Sequence, residues 1–316
     1  MIFKVRFGIL IVKKFKVLIL FAGLILYGCT TFLAHEITKP IKSSSIHSLT
    51  IGEQALSYHL IGSKDNPPLV FLHGILAFTE NYSDIIEILA EQYYVIGIDI
   101  RGHGRSSIGE DLFTFQNVAD DVIQVTNKLG IEKFYVIGHS MGGIVLLTIC
   151  KYFPENIIKG ISIASLYNYE GVDFESRKKF NIKKIFFPSM NIDYLTSSGF
   201  RSNQNGREPF LIKLMDKAHH RIGEKEKFER TKKYMTEYGP TLFPSFTEEE
   251  LSKIETPVLV IAAEGDTRIK PRHTKKMSNI LPNSKFLEIP DAKHFGIIKS
   301  KKNLRIVVKG IFDFLQ

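Results

Sequence analysis

The sequence has few cysteines and no repetition. Cysteine occurs only at positions 29 and 150 of the 316, and there is no internal repeat and no low-complexity tract. Cys150 lies in an apolar run, which is typical of a small buried hydrophobic side chain. A non-repetitive chain of this length is long enough for one large α/β domain with an insertion, or for two small domains.

The net positive charge is small outside the N-terminus. The formal net charge is +9, and five of these charges belong to lysines and arginines near the N-terminus, which leaves +4 for the rest of the chain. So weak and dispersed a charge does not suggest nucleic-acid binding. No zinc-binding or RNA-binding motif suggests it either.

Residues 1–28 have the order of a secretory signal. Lysines and an arginine come first, with no acidic residue among them, and an apolar run over Val17–Tyr27 follows. This run is too short to span a bilayer unaided. A basic region, a short apolar region and a small residue in this order are typical of a signal peptide.

The end of this segment carries Leu26, Gly28 and Cys29, with Tyr27 between them. It resembles the lipobox of bacterial lipoproteins, although Tyr27 is bulkier than the residue usual there. The resemblance implies that Cys29 is acylated and becomes the new N-terminus, in which case a disulfide framework is excluded. The alternatives are an uncleaved anchor that also uses Phe7–Val12, and a cleaved soluble form. All three place the protein at or beyond a membrane, and we expect a lipoprotein of the bacterial cell envelope that faces the periplasm or the exterior.

Further along the chain, short apolar runs alternate with helical patterns, as they do in a parallel sheet with helices on both faces. The sequence therefore predicts an α/β fold with a mostly parallel, doubly wound sheet. Its expected strands are Ser48–Ile51, Leu56–Ile61, Leu69–Leu72, Tyr93–Ile98, Lys133–Ile137, Ile158–Ala164, Pro257–Ala262 and Lys285–Ile289. Its expected helices are Phe78–Gln92, Val118–Leu129, Ile144–Tyr152, Arg272–Ile280 and Ile298–Phe314.

The alternation stops between residues 167 and 250. No strand pattern is clear there, one helix is expected over Glu224–Tyr238, and 14 of the chain's 36 aromatic residues are concentrated in this segment. We expect it to form a lid inserted between two parts of the sheet domain. The expected segments are a signal or anchor (1–28), a tether (29–45), the first part of the core (46–166), the lid (167–250) and the second part of the core (251–316).

The most informative stretch is Phe134–Gly143, where a strand pattern runs through a G-x-S-x-G sequence into a helix pattern. Gly138 and Gly142 are small enough to let the strand and the helix meet in one tight turn. Ser140 would then stand at a helix N-terminus, whose free N–H groups favour developing negative charge. The motif alone is common by chance, so the other residues of the chain must decide its meaning.

Two further groups follow strands later in the chain. Asp266 comes soon after the strand expected at Pro257–Ala262, and His294 lies in the loop after the last expected strand. A serine needs a base to take its proton, a histidine can be that base near neutral pH, and a carboxylate can orient the histidine. Ser140, Asp266 and His294 therefore have the chain order of a nucleophile, an acid and a base.

Five features thus occur in order: His73-Gly74, Asp99–Ser106, Gly138–Gly143, Gly265-Asp266 and His294. Together they resemble an α/β-hydrolase of the lid-bearing, lipase- and esterase-like branch, over the chain from about residue 48 onward. The resemblance implies Ser140 as nucleophile, Asp266 as acid and His294 as base, without a metal or a cofactor. It also implies an oxyanion hole formed by the backbone N–H groups of Ile75 and Met141.

The other polar residues near these motifs have structural explanations. Asp99, Arg101 and His103 belong to a loop that is structural in the family, and His139 is expected to pack or to form loop hydrogen bonds. His219-His220 lies in the expected lid. Two adjacent histidines without a spaced third ligand do not indicate a metal site.

A serine at position 140 favours ester hydrolysis through an acyl-enzyme. Epoxide hydrolases and haloalkane dehalogenases of the α/β-hydrolase fold use an aspartate at this position, so the serine disfavours these two activities. Lid aromatics would suit an apolar acyl or alkyl group, or a core of the lid's own, so we expect a lipid or another lipophilic ester as substrate. The same triad would serve a C–C bond hydrolase, a peptidase or thioesterase, or a haloperoxidase-like enzyme. The rivals of another class are a ligand receptor on this fold and a surface adhesin, and the oligomeric state stays open.

Overall fold

The computed structural model describes residues 38–109, 113–173, 210–238 and 246–316. The expected signal, Cys29 and most of the expected tether lie outside these residues, and so does more than half of the expected lid. In the lid helices, the side chains of residues 210–213 and 234–238 are also outside the description.

One sheet of eight strands organises the described residues. The strands are β1 (Ser45–Ile51), β2 (Gln54–Ile61), β3 (Pro68–Leu72), β4 (Tyr94–Ile98), β5 (Phe134–His139), β6 (Ile157–Ile163), β7 (Val258–Ala263) and β8 (Ser284–Ile289). Their order across the sheet is β1-β2-β4-β3-β5-β6-β7-β8. β2 is antiparallel to β1 and to β4, and every other pair is parallel. The expected mostly parallel, doubly wound sheet is confirmed.

Helices lie on both faces of the sheet. They are α1 (Ser83–Leu89), α2 (Phe115–Lys128), α3 (Met141–Tyr152), α4 (Phe210–Arg221), α5 (Lys225–Tyr238), α6 (Glu248–Ser252), α7 (Pro271–Ile280), α8 (Gly296–Lys299) and α9 (Lys301–Leu315). The strands β4 and β7 are buried at every residue, as expected of parallel strands covered on both faces. One face of the sheet packs against α2, α3 and α7, and the other against α1, α8 and α9.

Two expected helices are broken in the structure. The segment predicted as one helix over Phe78–Gln92 begins with a 3₁₀ turn at Thr79–Tyr82, and only then continues as α1. The carboxylate of Asp99 accepts hydrogen bonds from the backbone N–H and the hydroxyl of Thr79, at 2.9 and 2.8 Å, and this holds the first turn to the end of β4. The last expected helix divides into α8 and α9 because Ser300 has extended backbone angles.

In the described part of the lid segment, α5 was expected and α4 was not. α5 matches the helix predicted over Glu224–Tyr238 within one residue. α4 has no counterpart in the sequence prediction, although Leu214, Met215 and Ala218 recur at helical spacing. The reason for its helical structure lies elsewhere in the chain. Its buried side chains form an apolar cluster with the loop that follows β3.

The first described residues lie against the domain. Ile41 is buried in the core cluster that α1 and α9 share, and the Arg221 Nε atom at the end of α4 donates a hydrogen bond to the Thr38 hydroxyl at 3.0 Å. These residues belong to the segment expected as a tether. Among the helices of the described residues, none is both long and apolar enough to cross a membrane.

Candidate active site

Ser140 lies in a strained turn between β5 and α3. Its backbone angles are φ 54° and ψ −116°, a region that residues with side chains rarely adopt. The turn requires glycine on both sides, because a Cβ on Gly138 would collide with the backbone of Gly142, and a Cβ on Gly142 would collide with the backbone of Leu72. The local geometry is therefore the strand-to-helix turn that the G-x-S-x-G sequence predicts.

The surrounding strands hold this turn in place. The Ser140 N–H donates to the carbonyl of Ile163 at 2.9 Å, and the Ser165 hydroxyl donates to the carbonyl of Ser140 at 2.7 Å. Ile163 is the last residue of β6, and Ser165 comes directly after the end of this strand. β6 is the neighbour of β5 in the sheet. These bonds fix the strained backbone of a serine that is only 8% exposed.

Asp266 and His294 meet although 28 residues separate them. The Nδ1 atom of His294 lies 2.7 Å from Oδ2 of Asp266, and both residues are buried. The other carboxylate oxygen, Oδ1, accepts the backbone N–H groups of Arg268 at 2.7 Å and Ile269 at 3.1 Å. Since a carboxylate oxygen accepts hydrogen bonds, Nδ1 carries the proton of this bond and Nε2 is left as the basic nitrogen.

His294 also lies beside the serine turn. Its carbonyl oxygen is 3.0 Å from Nε2 of His139, the residue before Ser140, and the two imidazole rings are 4.9 Å apart between centroids. The residues predicted as nucleophile, acid and base thus come from the ends of β5, β7 and β8, at one edge of the sheet. Ligand sites of open α/β sheets lie at this edge.

The loop after β3 approaches the same turn. A Cβ on Gly74 would lie 3.3 Å from Cβ of Ser140, so the backbone of this loop passes directly beside the serine. The carbonyl of Gly74 accepts a hydrogen bond from Nδ1 of His73 at 2.8 Å. Because the C=O and N–H of a trans peptide point in opposite directions, this bond fixes the direction of the Ile75 N–H.

The second expected donor, the N–H of Met141, lies at the start of a helix. Met141 is the first residue of α3, so its N–H has no intrahelical acceptor. Ile75 and Met141 thus lie in the two segments that flank Ser140, where the donors of an oxyanion hole are expected.

The loop after β4 is held by buried polar contacts. The Arg101 guanidinium bonds both oxygens of Asp121 at 2.7 Å, and neither side chain is accessible. Burial alone would raise the pKa of Asp99, but His59, His73 and the amides of Arg105 and Thr79 together lower it. Burial and the nearby His73 ring lower the pKa of His103 to about 3. These contacts account for the loop structurally, as the sequence suggests.

The two lid histidines do not form a joint site. His220 is exposed, whereas His219 stacks on Phe228 with a ring distance of 4.3 Å and donates from Nδ1 to the Met215 carbonyl. Burial lowers the pKa of His219 to about 4, so the ring is neutral at physiological pH. Its role in the structure is to pack α4 against α5.

One group of side chains has the donor types that a metal ion needs. His59, Glu80 and Asp99 each offer a ligand atom within 4.8 Å of the others, and all three are buried. However, Nη1 of Arg105 already bonds Oε1 of Glu80 at 2.5 Å, and Nε2 of His59 lies 3.5 Å from Oε2 of the same carboxylate. A guanidinium at this place repels a cation, so the donor set fits a buried ion-pair network better than a metal site.

Sequence inspection did not find every residue that contacts the serine turn. Tyr82 and Ser165 bond to this region, and nothing in their local sequence distinguishes them. His139 was expected to pack or to form loop hydrogen bonds, and the structure shows that it bonds to two other segments of the chain. Only the folded sheet brings these segments together.

Comparisons with known proteins agree with this architecture. A family model described as alpha/beta hydrolase fold matches residues 67–184. A Haemophilus influenzae protein named as an esterase or lipase is 27% identical over 278 residues, which cover 85% of this chain and 91% of that protein. A proline iminopeptidase of Lactobacillus acidophilus is 24% identical over 282 residues, which cover 81% of this chain and 94% of the relative. Among solved structures, a bacterial membrane phospholipase A matches with a TM-score of 0.66 and 20% identity over 95% of each chain.

Proposed function

Because the chain has the α/β-hydrolase fold, and its matches support a place in that superfamily, we propose that it is a serine hydrolase that cleaves carboxylic esters through an acyl-enzyme on Ser140. The observation that carries the proposal is the 2.7 Å bond between His294 and Asp266, beside a serine in a strained strand-to-helix turn. This arrangement leaves Nε2 of His294 as the basic nitrogen on a loop that is bonded to the residue before Ser140.

In the proposed mechanism, His294 takes the proton of Ser140 as the serine oxygen attacks the ester carbonyl. The tetrahedral oxyanion is stabilised by the N–H groups of Ile75 and Met141. The imidazolium, held by Asp266, then gives its proton to the departing alcohol, which leaves an acyl group on the serine. Water, activated by the same histidine, hydrolyses this acyl-enzyme and regenerates the free hydroxyl.

The apolar contacts of the lid support a lipophilic substrate. Leu214, Met215, Ala218 and Phe228 of α4 and α5 pack on the loop that carries the proposed oxyanion donor Ile75. A lid that meets the site with an apolar surface would cover an acyl or alkyl chain rather than a charged group. The relative named as an esterase or lipase points the same way.

The test is a series of p-nitrophenyl esters of increasing acyl length together with monoacylglycerols, with Ser140→Ala as control. Serine-dependent turnover that rises with acyl length supports a lipid esterase, and turnover of short esters alone supports a small-molecule esterase. Turnover that Ser140→Ala does not affect contradicts the proposed nucleophile.

The second candidate is a peptidase, because a proline iminopeptidase also matches across most of both chains. A proline p-nitroanilide substrate distinguishes this reading from ester hydrolysis. A C–C bond hydrolase, a thioesterase, a haloperoxidase-like enzyme or a receptor would use the same residues. Among these, a C–C bond hydrolase or a receptor would show labelling of Ser140 by a fluorophosphonate without turnover in the ester series.

For the location we propose a lipoprotein of the bacterial cell envelope, anchored through acylated Cys29 and facing the periplasm or the exterior. The basic and then apolar order of residues 1–28 supports this proposal. An enzyme held at a membrane would meet its ester substrates in or near the lipid layer. The chain would then consist of a signal, a short tether and a lid-bearing catalytic domain.

A further inference from the structure

A line of buried hydrogen bonds connects the loop after β3 with the loop that carries His294. The Gly74 N–H donates to the Tyr82 hydroxyl at 2.9 Å. The same hydroxyl lies 3.0 Å from Nδ1 of His139, and Nε2 of His139 lies 3.0 Å from the carbonyl oxygen of His294. Tyr82 and His139 are at most 1% exposed, so water does not compete for these bonds.

The partners determine the direction of each bond. A carbonyl oxygen can only accept, so Nε2 of His139 must carry a proton and donate it to the His294 carbonyl. Burial, followed by the effect of the His294 ring, holds the pKa of His139 well below its usual value, so the ring carries this one proton only. Nδ1 is therefore an acceptor and receives the Tyr82 O–H, while the phenol oxygen accepts the Gly74 N–H. The line has a single consistent arrangement of protons.

The three segments joined by this line carry the proposed oxyanion loop, nucleophile and base. Gly74 precedes the proposed oxyanion donor Ile75, His139 precedes Ser140, and the last bond ends on the main chain of His294. The Gly74 peptide units are held from both sides, because His73 bonds the carbonyl while Tyr82 bonds the N–H. The remaining bond of His294, from its side chain to Asp266, orients the ring but does not fix its backbone.

We propose that Tyr82 and His139 are positioning residues, which hold the oxyanion loop and the backbone of His294 at fixed distances from Ser140 through one continuous line of hydrogen bonds. This inference rests on the proposed function and adds to it two residues that do not touch the substrate. Their effect is on the geometry of the transition state. A misplacement of the reacting groups by about 1 Å can slow the reaction by about 100-fold.

The test compares Tyr82→Phe and His139→Leu with the wild-type enzyme on a p-nitrophenyl ester. Phenylalanine leaves the Gly74 N–H without an acceptor and Nδ1 of His139 without a donor, at nearly unchanged volume. We expect kcat to fall by about 10- to 100-fold in both variants, with KM almost unchanged, since the lost contacts act on the transition state rather than on binding. Tyr93→Phe is the matched control, because Tyr93 is buried in the same apolar cluster as Tyr82 but contacts aromatic rings instead.

His139→Gln provides a rescue that a purely structural role would not show. The glutamine amide can still donate to the His294 carbonyl, so its kcat should lie between those of the wild type and His139→Leu. A kcat within twofold of the wild type in both Tyr82→Phe and His139→Leu overturns the inference. The inference is also overturned if Tyr82→Phe and His139→Leu lose activity and thermal stability in parallel and His139→Gln restores neither.

The rate at which a fluorophosphonate labels Ser140 separates the inference from the proposed function. If the wild type shows no Ser140-dependent ester turnover, the proposed function fails, whatever the variants do. The labelling rates still decide the inference in that case, because labelling uses the same oxyanion donors and the same base. Slower labelling of Tyr82→Phe than of Tyr93→Phe supports the positioning role of Tyr82, and equal labelling rates contradict it.

Discussion

At the scale of the residue, the site depends on a few side chains whose hydrogen bonds leave no alternative arrangement. Asp266 uses one carboxylate oxygen to bind its own loop and the other to bind His294. The histidine is thereby fixed as a donor at Nδ1 and a base at Nε2. An exchange of one carboxylate oxygen for an amide nitrogen should therefore change the chemistry and leave the loop intact.

Asp266→Asn tests this assignment. The amide oxygen can still accept the N–H groups of Arg268 and Ile269, but the amide nitrogen would face Nδ1 and favour the wrong tautomer of His294. We expect kcat for ester hydrolysis to fall by about 10⁴-fold, with a melting temperature close to that of the wild type. Asp291→Asn is the control, because Asp291 is exposed in the neighbouring loop. Wild-type activity in Asp266→Asn would mean that another group orients the base.

The order of Ser140, Asp266 and His294 was predictable from the sequence, since each follows an apolar strand pattern. The contact between His139 and Tyr82 was not, because 57 residues separate them and neither belongs to a recognisable spacing. Such contacts arise from the order of the strands in the sheet. The pairing of β3 with β5 places the segment after β3, which contains Tyr82, beside the Ser140 turn.

At the scale of the element, the sequence predicts strands better than helix ends. All eight strand positions agree with the structure within a few residues, because short β-branched runs between polar turns are a strong local signal. The beginning of α1 and the break before α9 depend on individual hydrogen bonds and backbone angles. The periodicity of apolar residues in the sequence does not reveal them. α4 was missed because its partners, Leu76 and Phe78, are more than 130 residues away in the chain.

Leu214→Ala tests whether α4 is held by this cluster. Leu214 is completely buried against the lid and the loop after β3, so its truncation should cost about 2–5 kcal/mol of local stability. We expect faster amide hydrogen exchange in α4 and α5, with unchanged exchange in β4 and β5. Leu304→Ala in α9 is the matched control, because Leu304 belongs to the core cluster on the other face.

The same variant should affect long-chain substrates more than short ones. If the lid forms the acyl pocket, Leu214→Ala lowers kcat/KM for long acyl esters and has less effect on acetate esters. Uniform exchange across the whole sheet in Leu214→Ala would instead show that the lid helices belong to the global folding unit. Equal losses on short and long esters would remove the lid from substrate binding.

At the scale of the whole molecule, the N-terminal segment and the domain meet near the lid. Thr38 is bonded to Arg221, which ends α4, and Ile41 is buried in the core. If Cys29 anchors the chain as proposed, the segment that follows it would join the domain beside the end of α4.

Cys29→Ser tests the anchor. If acylation of Cys29 attaches the protein, the variant should leave the membrane fraction, and the mass of the wild type should include the lipid. Ester turnover by the released domain should persist, since the proposed site lies wholly within residues 73–294. Continued membrane association of the variant would favour an uncleaved N-terminal helix instead.

The central claim is that Ser140 is a nucleophile activated by the folded site. The most direct measurement is treatment of the native protein with a fluorophosphonate, followed by intact mass and peptide mapping. We expect one adduct per chain, located on Ser140, absent from Ser140→Ala and from the protein unfolded before treatment. An adduct on another residue, or none on the folded wild-type protein, would contradict the account.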